Sequence, residues 1–166
     1  MSLTHINSEL RLDMVCALLV EPVSVVAKGV NEHGSPSAEV ALVTITFEGG
    51  ALASVLLGGL DVAAHKDYPR LTLITQNGQA ILRGREHIWK SLTWARREDA
   101  TTQTFSAPPE ALGHTRYSHA LSHFVNCVQV GMPFAATVAD GVRAIKLATA
   151  IYASLDSNQE INLEEL

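Results

Sequence analysis

The sequence has 166 residues, of which 47% are hydrophobic and 17% charged, and its formal net charge is −5 at pH 7. That length supports a domain with a real core, since such a chain buries roughly two-thirds of its unfolded surface, and the composition excludes disorder. Nucleic acid is excluded as a partner because no basic stripe occurs, Arg96-Arg97 being followed at once by Glu98-Asp99; a membrane span is excluded because no apolar run reaches the ~20 residues it needs.

The start of the chain lacks a cationic segment followed by an apolar one, so no secretory signal is expected and the reading is a cytoplasmic protein. Cys16 and Cys127 are the only cysteines. Both fall on apolar helical stretches and read as reduced core thiols.

Ser8 is placed to cap a helix over residues 9–19, with Leu10, Met14, Ala17 and Leu18 at helical spacing. Pro22 ends it. Strands are expected over 23–30, 40–47 and 51–57, the last two joined across Gly49-Gly50, where a tight turn needs positive φ. Residues 70–75 and 79–82 flank Asn77-Gly78, a strong hairpin signal. Residues 87–96 alternate, with Ile88, Leu92 and Trp94 on one face and Trp89 on the other. A further strand is expected over 101–105.

Two helices follow. The first covers 115–130, with Leu121, Phe124, Val125 and Val128 on one face and Gly131 and Pro133 as its stop. The second opens on a capping box, Thr137 with Asp140. Its expected core face is Val142, Ile145, Ala148, Ile151, Tyr152 and Leu155, with Asp140, Arg143 and Lys146 towards water. A last strand is expected over 160–163.

This order predicts an α+β fold: an open, mainly antiparallel sheet with helices on one face, as a single domain over residues 1–166. In 40–45 and 51–57 both alternating faces are apolar or small, so the second face of the sheet needs a cover. A second copy would supply it, giving a homodimer or higher homo-oligomer through the open sheet face.

No Gly-x-Gly-x-x-Gly follows a strand, and the βαβ alternation of a dinucleotide fold is missing, so the chain alone is not expected to bind NAD. His119 and His123, four apart on a helix, could share a metal but lack an evident third ligand, so no metal site is assigned. His65, Lys66, Asp67 and Tyr68 form a polar knot between two strands, where loops carry function. They allow a second kind of reading, a cofactor-free enzyme such as an isomerase using His65, Asp67 or Tyr68.

The final third carries His123-Phe124-Val125-Asn126-Cys127, Gly131-Met132-Pro133, Thr137-Val138-Ala139-Asp140-Gly141, Ala144-Ile145, Ala150-Ile151 and Ser154. Together with the strand–turn–strand of residues 70–84 and Asp13 in Leu12-Asp13-Met14, these resemble the C-terminal domain of the glucose–fructose oxidoreductase / inositol dehydrogenase / MocA (Gfo/Idh/MocA) family, over nearly the whole chain and in the family's order. The resemblance implies a parent enzyme of two domains. An N-terminal dinucleotide-binding domain, absent from this sequence, would hold NAD or NADP, while the C-terminal domain would bind a sugar, polyol or similar hydroxyl substrate and build oligomers. It also implies a catalytic His and an acidic partner on the first C-domain helix, but those positions hold Leu10 and Ile6, neither of which transfers a proton. The expectation is an oxidoreductase's substrate domain, inactive alone, with Asp13, His65, Lys66 and Tyr68 as pocket candidates. The alternative is a non-catalytic small-molecule-binding or dimerisation module of the same fold.

Overall fold

Residues 5–30, 40–58, 70–85, 88–99, 101–108 and 115–166 are described in a computed structural model. In chain order the elements are α1 (His5–Leu19), β1 (Pro22–Val30), β2 (Val40–Phe47), β3 (Leu52–Gly58), β4 (Arg70–Thr75), β5 (Gly78–Arg85), β6 (Ile88–Arg96), β7 (Gln103–Ser106), α2 (Thr115–Val130), α3 (Val138–Ser157) and β8 (Ile161–Asn162). The α+β class is as expected, and every strand pairing is antiparallel. Among the described residues the strands fall into two four-stranded sheets, ordered β3-β2-β1-β8 and β4-β5-β6-β7. The chain divides into two compact units, Met1–Leu60 with Ala135–Leu166, and Asp61–Phe134.

The first unit holds the core. One face of its sheet, Val25, Ala27, Ala41, Val43, Ile45 and Phe47, is buried with Leu12, Cys16, Leu147, Ala150 and Ile151. α3 packs on β1 and on α1. Both helices are rotated from the faces expected in the sequence. α1 buries Leu12, Val15 and Cys16 and leaves Leu18 exposed; α3 buries Ala144, Leu147, Ala150, Ile151 and Ser154 and leaves Val142 and Ile145 exposed. Apolar side chains surround most of α1, so several faces satisfy helical spacing equally. On α3 the small residues Ala144 and Ala150 face inward, where they permit close approach of helix to sheet.

α1 begins at His5, so Ser8 lies inside it rather than capping it; no proline or glycine stands between them to stop the helix. The β2–β3 turn has three residues, Glu48–Gly50, with the Phe47 amide donating to the Ala51 carbonyl at 2.9 Å; both glycines do carry positive φ. In the β4–β5 hairpin Thr75 pairs with Gly78, so the two turn residues are Gln76 and Asn77. Gly78 is needed for a different reason: a Cβ there would lie 2.3 Å from the carbonyl oxygen of Ala95 on β6.

The second unit is a meander, β4 to β7, with α2. Leu71, Leu82, Leu92 and Phe105 stand in one row across all four strands. A bulge at Lys90 pairs Trp89 with Gly84 and Ser91 with Arg83. That extra residue brings Trp89 to the face of Leu92 and Trp94, correcting the expectation that the two tryptophans point apart. α2 ends as the sequence predicts: Gly131 has φ 70°, and the amides of Gly131 and Met132 both donate to the Cys127 carbonyl.

Candidate functional site

A cleft of about 330 Å³ opens between α1 and the start of α3, lined by Asp13, Cys16, Ala17, Val20, Ala135, Ala136, Asp140 and Arg143. Its α3 wall is fixed by the capping box. The Asp140 amide donates to the Thr137 hydroxyl oxygen at 3.3 Å, and the Thr137 amide donates back to the Asp140 carboxylate at 2.8 Å. The Thr137 hydroxyl also donates to that carboxylate at 2.7 Å. These bonds, helped by the Arg143 charge, hold the Asp140 carboxyl below its ordinary value.

Arg143 joins the walls. Its guanidinium donates to Asp140 at 2.9 Å and to Glu21, just beyond α1, at 3.4 Å. Its Nε–H is buried and has no hydrogen-bond partner among the described residues. Cys16 lies in the same wall, free and buried. Burial pushes its thiol up, against the opposing pull of Arg143. The Cys16 side chain packs in the core with Leu12 and Val15.

Asp13 is half-buried on the cleft and makes no hydrogen bond among the described residues. Among the described residues its carboxylate is an uncommitted acceptor, beside a guanidinium already held by two carboxylates and with alanine side chains as the apolar wall. Such an arrangement can accept hydrogen bonds from a small hydroxyl-bearing ligand.

Of the sequence candidates, Asp13 alone is placed on this cleft. His65, Lys66 and Tyr68, with Asp67, lie outside the described residues. Ile6 and Leu10 fall within α1, at spacings of seven and three residues before Asp13, which by helical geometry is one stripe; their side chains lie outside the described residues. His119 and His123 are exposed on α2, and no three metal-ligating side chains converge among the described residues. Cys127 is buried, with its sulfur 3.5 Å from Nε2 of His123. Arg143, expected on the wet side of α3, lines the cleft instead. The available signal was its spacing of three from the cap residue Asp140, which keeps it on the same side of the first turn.

No parallel strand pair occurs among the described residues, so they form no βαβ cradle for a dinucleotide. No helix among them is long and apolar enough to cross a membrane.

No family model matches the chain, and no curated protein matches it in sequence. Solved structures do match in fold. A levoglucosan dehydrogenase in complex with NADH and levoglucosan is 18% identical, with a TM-score of 0.79 over 96% of this chain and 49% of that one. An oxidoreductase from Agrobacterium radiobacter, in complex with NAD+, L-tartaric acid and magnesium, is 13% identical, with a TM-score of 0.75 over 99% of this chain and 50% of its own. An aldose-aldose oxidoreductase from Caulobacter crescentus, complexed with glycerol, is 16% identical, with a TM-score of 0.74 over 93% and 45% of the two chains. The chain thus spans about half the length of these structures. Its fold is that of the C-terminal domain of the Gfo/Idh/MocA-type oxidoreductases.

Proposed function

We propose that the chain is the substrate-binding and oligomerisation domain of an NAD(P)-dependent oxidoreductase acting on a sugar, polyol or similar hydroxyl compound. The observation that supports this is the match of almost the whole chain to half of a sugar dehydrogenase, at a TM-score of 0.79. In this reading the nicotinamide is held by a separate dinucleotide-binding domain, and the present residues bind and orient the substrate. Asp13 accepts hydrogen bonds from substrate hydroxyls in the α1–α3 cleft, while the Asp140–Arg143–Glu21 chain holds the cleft's walls together.

Calorimetric titration of the chain with NADH, and separately with a panel of sugars and polyols, tests the proposal. The expected result is no heat from NADH, saturable binding of at least one polyol, and loss of that binding in Asp13→Ala, which removes the acceptor. Tight NADH binding by the chain alone would overturn the division of labour. Polyol binding that survives in Asp13→Ala would move the substrate elsewhere.

A second reading, a binding or dimerisation module without catalysis, is favoured by one observation. Ile6 and Leu10 stand in α1 seven and three residues before Asp13, so those two positions carry no group that transfers a proton. Joined to its dinucleotide-binding domain, such a module would bind polyol yet show no NADH turnover, whereas the leading reading requires turnover.

A further inference from the structure

We draw no further inference here: the strongest candidate, the uncharged apolar stripe of α2 formed by Tyr117, Leu121, Phe124 and Val128, is an exposed helix face, and nothing in the structure shows what covers it.

Discussion

Val20 closes α1 at φ 73°, its amide donating to the Cys16 carbonyl at 3.0 Å. A β-branched side chain in the left-handed region costs roughly 1–2 kcal/mol, and at 65% exposure this one recovers little by packing. Glycine removes the strain at the expense of a more flexible unfolded chain. Val20→Gly is therefore expected to stabilise the protein by about 1 kcal/mol, read as a higher urea midpoint at an unchanged slope. A midpoint that stays or falls would show the left-handed turn to be unstrained. Ser154 is the opposite case, a polar side chain with no exposure at all. Its oxygen accepts from the Ala27 amide at 2.9 Å and its hydroxyl donates to the Gln159 carbonyl, tying α3 to β1 and to the chain beyond. Ser154→Ala strands both backbone groups, and a loss of about 1–3 kcal/mol is expected in equilibrium unfolding; a loss well under that range would mean that water replaces the hydroxyl. Neither role was legible in the sequence. A valine in a helix-ending turn carries no signature of its φ, and a serine's burial depends on which face of α3 turns inward.

At the scale of elements, the α3 cap ties stability to pH. The folded-state pKa of Asp140 lies below the ordinary 3.8, first because Thr137 donates to it and then because of Arg143. A lowered folded pKa means stabilisation that is present above the unfolded value and is lost as pH falls through the folded one. The melting temperature should therefore drop on the acid side of pH 3.8, and Asp140→Asn should lower it at neutral pH while flattening that acid limb. A parallel acid limb in the variant would assign the effect to other carboxylates. The β5–β6 pairing rests instead on a missing side chain. In Gly78→Ala the new Cβ meets Ala95 backbone at 2.3 Å, which a rigid ladder cannot yield. A cost of roughly 1–3 kcal/mol is expected, seen as faster amide exchange along β5 and β6 than along β1 and β2. The strands themselves were readable because β-branched runs and turn residues alternate from 40 to 96. The capping box and the Gly131 stop were readable because each depends on local chemistry alone. Turn length and the face of each helix were not, since both follow from partners distant in sequence. The same holds for the cleft: Asp13 came from a family pattern, whereas Arg143 joins it only because α3 lies against α1.

At the scale of the whole molecule, the question is what covers the remaining apolar surface. The sequence suggested a sheet apolar on both faces, and the register shows how far that holds. On the face of the β3-β2-β1-β8 sheet away from the core, Leu42 stands opposite both Leu56 and Lys28, Thr44 opposite Ser54 and Val26, and Thr46 opposite Leu52 and Ser24. The face is mixed, with its apolar part concentrated in Leu42, Leu52 and Leu56, which are 53%, 68% and 63% exposed. Fully burying a leucine contributes roughly 1.5–3 kcal/mol, so the half to two-thirds still exposed on three leucines is a real driving force for association. Threonine and serine between them suit a twofold contact, because hydroxyls can pair with hydroxyls across the axis, and the one cation beside them, Lys28, is already engaged by the backbone and side-chain oxygens of Asn158. The proposed homodimer is therefore expected to form through this face. Leu56→Arg, set directly opposite Leu42, should weaken dimerisation at least tenfold, about 1.4 kcal/mol, in sedimentation equilibrium. Because the site points away from the core, the variant's far-UV spectrum and cleft geometry should be unchanged. Leu121→Arg on α2 is the control. If it dissociates the dimer and Leu56→Arg does not, the subunits meet through the helix and the sheet face is left to solvent.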